Sequence, residues 1–524
     1  MSAPAAADAD FLAAYAADRP GKAAVIVGGA EHDRTVTYSQ LNAMVNTFAN
    51  AMLRAGVQPG DRVAWCGRNC VEVLAVQQAA RKLALTSVPL NFHLRRDELT
   101  WILDNAEAVM VWTAADQAAL FEDLGDAVPT VREVIVFDGP AGPGEVTLAA
   151  FTDGVGDHEP EVERGGPPAG TIIYTSGTTG KPKGAVRDAL TTPEQRAILR
   201  SHLDLLGVGR DDVYLPTGAL HHGGPLSFAD LTLSNGDTVV LQTKFDPEGW
   251  LRLLERYRAN TSYSAPTAIR WICSLPDEVK ARYDTSSMRL MIAGAASWPY
   301  ALKLAYLDDF PELSLWELYG STELGTNTIL QPQDQRRKPG SCGQAAPGVE
   351  IVLLDDDGNV ITEPHQPGEL YVRGGSRFRT YYKDPEKFLA EHRGDLHTVG
   401  DIAYVDEEGF FYICDRKKDM IISGGVNVYP AEIEATLEEH PSVFESAVYG
   451  LPDDEWGERV HATVVRVPGA ALTEDEVIAF CKDRLASYKA PRTVEFVDEL
   501  PHSGSGKVLK RELRDRHLSR DGAG

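Results

Sequence analysis

Residues 174–184 read Tyr-Thr-Ser-Gly-Thr-Thr-Gly-Lys-Pro-Lys-Gly, a composition suited to holding a polyphosphate. Glycines let backbone N–H groups come close to an anion. Ser176, Thr178 and Thr179 add hydroxyl donors, and Lys181 and Lys183 add positive charge. The run Thr171, Ile172, Ile173, Tyr174 ahead of it reads as a strand feeding the loop. The loop is not a P-loop of the G-x-x-x-x-G-K-[ST] type. Thr175 stands where the first glycine belongs, and Pro182 follows the lysine.

Four further segments carry candidate chemistry. Residues 318–323 are LYGSTE, an aromatic followed by small residues and a carboxylate; 398–401 are TVGD; 415–429 are DRKKDMIISGGVNVY; 503–511 are SGSGKVLKR. One carboxylate such as Asp401 can accept from two hydroxyl donors. Lys507 ends a Gly-Ser arm, and its compact ammonium suits a pair of neighbouring anions. His221 and His222 precede Gly223-Gly224-Pro225, and no His/Cys cluster at ligand spacing supports reading them as metal ligands.

In order and spacing these five motifs resemble the adenylate-forming enzymes: acyl-CoA synthetases, firefly luciferase and peptide-synthetase adenylation domains. The resemblance runs from about Tyr38 to Lys510. It implies a carboxylate joined to AMP with release of pyrophosphate, then acyl transfer to a thiol. Carboxylate and triphosphate are both anions, so positioning and positive charge must supply most of the rate.

Carried onto this sequence, the resemblance implies that Thr175, Ser176, Gly177, Thr178, Thr179 and Lys183 cradle the β- and γ-phosphates of ATP. Glu323, helped by Thr178, would hold Mg²⁺, a hard ion that keeps much of its water. Tyr319 would stack on adenine opposite Gly294, Ala295 and Ala296, with Gly320, Ser321 and Thr322 beside it. Asp401 would take the ribose hydroxyls, and Arg416 the ribose or phosphate. Lys507 would bridge the substrate carboxylate and the α-phosphate. A swing about Asp415 would withdraw Lys507 and present Ser423, Gly424 and Gly425 to the pantetheine of CoA. His222 would gate the acyl tunnel or orient the carboxylate.

The expected activity is therefore an ATP-dependent acyl-CoA ligase for a hydrophobic carboxylic acid, fatty or aryl. The alternative is a stand-alone enzyme that loads a carrier protein. A non-catalytic nucleotide binder would need loss of Lys507, Glu323 or the glycine loop, and none is lost. Two departures from the family pattern bear on the acid. The loop continues as AVRD, without the common hydroxyl–His pair. Ser227, Phe228 and Asp230 line a segment that a fatty-acid enzyme keeps more apolar.

The elements that must position these groups are also legible. Thr37 to Gln40 is a capping box, with Leu41, Met44, Val45, Phe48 and Met52 at helical spacing behind it and Gly56 as the stop. Residues 62–65 read as a buried strand, 71–84 as a helix and 87–90 as a short apolar segment. Residues 213–245 and 251–263 continue this alternation, which argues for an α/β layered fold. Residues 138–170, rich in Gly, Pro and acid, read as a surface excursion. From Val349 strands at 350–354 and 370–372, split by turn residues, suggest a β-rich subdomain. A last unit from about Asp415 has helices at 431–439 and 474–485 and strands near 445–449 and 461–467. The expected architecture is a large N-terminal domain, 1–414, of layered sheets and helices with a β-rich subdomain, and a small mobile α+β domain, 415–524.

At 524 residues two or three domains are expected. A net charge of −26 disfavours nucleic acid and anionic membrane as partners. The six cysteines are scattered and form no CxxC pair, which fits reduced thiols and a cytoplasmic location. The N-terminus lacks the pattern of a signal peptide, and no apolar run of membrane-spanning length is read. Oligomeric state is left open, a homodimer included.

Overall fold

The computed structural model describes residues 10–29, 32–162, 169–175, 182–188, 193–209, 211–296, 298–374, 380–453, 455–502 and 508–521. The expected capping box is present. Thr37 Oγ accepts from the Gln40 N–H at 3.3 Å, and Gln40 Oε1 accepts from the Thr37 N–H at 2.9 Å. It starts the helix Tyr38–Arg54, and Gly56 at φ +79° lies just beyond its end.

That helix lies between two sheets. Among the described residues one sheet has nine strands and the other eight. In the first, Ala23–Gly28, Thr238–Gln242, Val213–Tyr214, Thr261–Ser264, Leu290–Ala293 and Leu315–Ser321 lie parallel in that order. In the second, the parallel core is Gly170–Thr175, Thr86–Leu90, Arg62–Cys66, Ala108–Thr113 and Glu133–Val136. Successive strand side chains point to opposite faces, so both faces need cover. Val25, Val239, Val63 and Trp65 face inward onto the helices Tyr38–Arg54 and Val71–Lys82. Ile26 and Val240 turn outward onto Trp250, Leu254 and Ile269. Ala64 and Cys66 turn outward onto Leu99, Ile102 and Leu103. The result is five layers, helix–sheet–helix–sheet–helix.

A six-stranded sheet that includes Val349–Leu354, Gly368–Gly374, Asp401–Val405 and Phe411–Arg416 forms the β-rich subdomain. A smaller C-terminal domain follows. Its five-stranded sheet centres on Val443–Asp453 and Gly457–Arg466, with its own core of Ile433, Leu437, Val448 and Val464. The fold is the α/β architecture expected. The described part of the expected surface excursion is largely exposed or half-buried, and it carries two elements not expected there, the strand Val146–Thr147 and the helix Leu148–Thr152, capped by Thr147. Five residues are too few to show a helical period, so that helix left no pattern to read.

Candidate functional site

Ligand crevices in α/β proteins open at the carboxyl ends of parallel strands. Here a cavity of about 1760 Å³ opens at the ends of both sheets. Tyr263, Ala295 and Gly320 reach it from the first sheet and Thr175 from the second. Ala295 holds φ +65°, a left-handed conformation uncommon without glycine and typical of binding sites. Its neighbours Gly294 and Ala296 close the same turn, with the Ala296 N–H donating to the Gly294 carbonyl at 2.8 Å.

Tyr319 donates its hydroxyl to Asp401 Oδ2 at 2.6 Å, and Arg416 Nε stands 3.4 Å from Asp401 Oδ1. Asp401 and Arg416 are register partners on adjacent strands, which fixes this approach. Burial, and then the Asp401 charge, push the Tyr319 hydroxyl well above its usual value, so it remains a donor. Arg416 lines the cavity.

Ser321, Thr322 and Glu323 line the cavity together. Ser321 Oγ accepts from the N–H groups of Glu323 at 3.2 Å and Leu324 at 3.0 Å, a turn that holds Glu323 at the cavity wall. The Tyr381 hydroxyl is shared between two carboxylates, 3.1 Å from Glu391 Oε2 and 3.4 Å from Glu323 Oε1. The Arg187 guanidinium, drawn below its usual value by burial, feels the opposing charge of Glu323. Glu391 lines the cavity as well, so two carboxylates stand around the Tyr381 hydroxyl, and carboxylate oxygens suit a magnesium ion that takes its other ligands from water and phosphate. Arg187 belongs to the AVRD departure; its spacing from the glycine loop was the only signal of it, and its place beside Glu323 was not foreseen.

Thr175 and Lys183 are register partners at the ends of paired strands, and both line the cavity. The Lys183 ammonium lies 3.1 Å from Asp384 Oδ2. Ser176, Gly177, Thr178, Thr179, Lys181 and Lys507 lie outside the described residues. Either side of the Lys507 segment, His502, Leu509 and Glu512 line the cavity. Ser423, Gly424 and Gly425 are not brought to it: Ser423 is buried, and Gly424 and Gly425, at φ +61° and +77°, form the two-residue turn of a hairpin. Asp415 is buried, and its Oδ2 accepts from the Ala431 N–H at 3.0 Å, tying it to the first turn of the helix Pro430–Leu437.

The cavity continues between the sheets. His222 lines it just before the helix Gly223–Ser234. His221 is buried at the cavity wall, and among the described residues neither ring nitrogen has a hydrogen-bond partner. Burial, then His222 and His93, hold its basicity well below the usual histidine value, so it is neutral. Tyr263 stacks on Phe228 with ring centroids 5.8 Å apart. A Cβ at Gly224 would sit 2.4 Å from the Tyr263 ring and one at Gly294 2.6 Å from its hydroxyl, so both glycines are needed for this packing. Farther along the helix, Ser227 and Asp230 put polar groups on the wall.

The AMP-binding enzyme family matches residues 12–382, and the AMP-binding enzyme C-terminal domain matches residues 432–507. The chain is 34% identical over 511 residues to an indoleacetate–CoA ligase of Aromatoleum aromaticum, covering 96% of this chain and 97% of that one. It is 34% identical over 489 residues to the long-chain-fatty-acid–CoA ligase FadD13 of Mycobacterium tuberculosis, covering 93% and 94%. Among solved structures it is similar to ATP-bound MatB from Rhodopseudomonas palustris, with a TM-score of 0.83 and 30% identity over 97% of this chain and 98% of that one.

Proposed function

The chain belongs to the AMP-binding enzyme family, and from that premise we propose that it activates a carboxylic acid with ATP and passes the acyl group to CoA, releasing AMP and pyrophosphate. One observation carries the reading. Thr175, Lys183, Glu323, Arg416 and the residues flanking 503–507 face a single cavity that runs on between the sheets. Cationic and carboxylate groups at one end and aromatic walls at the other suit a nucleotide and an acid meeting there.

In this reading Asp401 takes the ribose hydroxyls while Tyr319 and Arg416 hold its carboxylate in place. Glu323 is the protein ligand of magnesium, oriented by Ser321. Thr175, the glycine loop and Lys183 bind the β- and γ-phosphates, with Lys183 leaving Asp384 to do so. Lys507 neutralises the charge that develops between carboxylate and α-phosphate. His222 positions the substrate carboxylate, and neutral His221 packs behind it. The C-terminal domain begins at Asp415 and rotates there for the second half-reaction, bringing the Gly424–Gly425 turn to pantetheine. A cytoplasmic location belongs to the same proposal.

The test is pyrophosphate release from magnesium-ATP over a panel of fatty, aryl and branched acids. CoA and a free carrier protein are offered in parallel as acceptors. Acid-dependent pyrophosphate with thioester formed on CoA is expected. Absence of acid-dependent pyrophosphate across the panel overturns the reading, and thioester on the carrier protein alone reassigns the acceptor.

A further inference from the structure

The acyl end of the cavity carries a polar network that packing does not require. Gly223, Ser227 and Asp230 are spaced four and three residues apart, so they share one face of their helix, and all three line the cavity. From His222 to Asp230 is eight residues, about 12 Å along the axis. Facing Asp230 on the helix Val71–Lys82 are Gln77 and Gln78. Gln77 Nε2 donates to Asp230 Oδ2 at 3.4 Å, and Gln78 Nε2 donates to Oδ1 at 2.7 Å.

The orientation of the Gln77 amide has independent support. Its Oε1 accepts from Trp65 Nε1 at 3.3 Å and from Ser87 Oγ at 2.5 Å. The indole N–H also donates to Ser87 Oγ at 3.1 Å, and because an indole nitrogen only donates, an amide NH₂ turned toward Trp65 would set two donors against each other; the orientation with the oxygen toward Trp65 and the NH₂ toward Asp230 avoids this. Asp230 is thereby met as an acceptor. An ionised carboxylate offers about four acceptor sites, and these two amides fill two of them. Among the described residues no cation forms an ion pair with it. Arg81 acts on it only at longer range, with its guanidinium lying over the Phe11 ring, 4.9 Å from the centroid.

We propose that Asp230 accepts a hydrogen bond from a hydroxyl or N–H on the substrate, so that the enzyme selects carboxylic acids carrying such a donor at the end remote from the carboxyl. This rests on reading the cavity as the acid's site. A plain alkyl or aryl tail would cover the carboxylate and leave its open acceptor sites without a donor. A site built to meet a polar group rejects the analogue that lacks it, because the buried partner is then stranded. Asp230 is a specificity residue here, remote from the reacting atoms.

The experiment takes the best acid from the panel and a matched partner differing only in the donor, as 4-hydroxycinnamate differs from cinnamate or 10-hydroxydecanoate from decanoate. For each pair kcat/KM for pyrophosphate release is measured in wild type, Asp230→Asn and Asp230→Leu. Wild type is expected to favour the donor-bearing acid by at least about tenfold. Asp230→Leu is expected to invert that ratio, with Asp230→Asn between them. Equal kcat/KM for the two acids in wild type, or a ratio unmoved in Asp230→Leu, overturns the inference and leaves the proposed activity standing. Failure of every acid in the panel overturns the activity itself, and the inference with it. Because the readout is a ratio between two acids in one variant, a general loss of folding or turnover cancels.

Discussion

The Tyr319 hydroxyl and the Asp401 carboxylate are 2.6 Å apart, so the ring assigned to adenine and the acid assigned to ribose form one unit. The expected consequence is non-additivity. Tyr319→Phe keeps the ring but removes a hydrogen bond to a charged group, and should raise the KM for ATP about tenfold. Asp401→Ala should cost more, because it also strands the Tyr319 hydroxyl and Arg416. The double variant should be little worse than Asp401→Ala alone. Pyrophosphate exchange at varied ATP measures all three; fully additive effects would mean that the pair does not work as a unit.

Much of this site was legible because its signals are local. Glu323, Arg416 and Lys183 lie in contiguous motifs, and the Thr37–Gln40 capping box is read from four residues. What stayed hidden depends on distant segments meeting. Nothing near Tyr263 says that it needs the space at Gly224 and Gly294. Nothing near Gln77 says that Trp65 orients its amide. The Gly424–Gly425 pair shows how a local signal carries two meanings. Glycines were read as permitting close approach to a ligand, and the positive φ angles show that a tight turn also demands them.

Glu323→Gln keeps an acceptor for the Tyr381 hydroxyl and removes the charge. Half-saturation by magnesium should then shift upward by at least the roughly tenfold seen for changes beyond the ligands themselves. Excess magnesium should restore part of the rate. A magnesium titration of pyrophosphate release checks this, and an unchanged midpoint would remove Glu323 from the metal site.

Lys507→Ala should depress adenylation by about a hundredfold or more, the scale of losing one group that stabilises transition-state charge. Supplied with preformed acyl-adenylate, the same variant should still make thioester. Equal loss in both half-reactions would assign the lysine to something other than the first step.

The helix Pro266–Cys273 touches the C-terminal domain through Arg270, whose Nη2 lies 2.9 Å from Glu438 Oε2 and whose Nη1 donates to the Phe444 carbonyl. Burial raises the Glu438 carboxyl to about 7 despite Arg270. The ion pair is therefore fully charged only above that pH. Arg270→Ala should slow adenylation several-fold while sparing thioester formation from acyl-adenylate, because this contact ties the C-terminal domain to a helix of the domain that carries the cavity. The penalty should shrink as pH falls below about 7, where the pair loses its charge. A penalty that is the same at pH 6 and pH 8 would show that the charge of the pair is immaterial.

Asp230 has a cost that can be read without substrate. Burial raises its carboxyl to about 6, against the lowering influence of Arg81, Gln77 and Gln78. Between the ordinary aspartate value and about 6 the folded chain binds more protons than the unfolded one. Stability therefore falls as pH rises through that window, and the full penalty is present above it. Asparagine does not titrate. The melting temperature of Asp230→Asn relative to wild type should rise between about pH 4 and pH 6 and then level off. The gain should be equivalent to about 1–2 kcal/mol once partial solvent access is allowed for. Paired thermal melts across that range decide it. A constant difference would mean that Asp230 is as well solvated as in the unfolded chain and that its carboxyl carries no burial penalty before substrate binds.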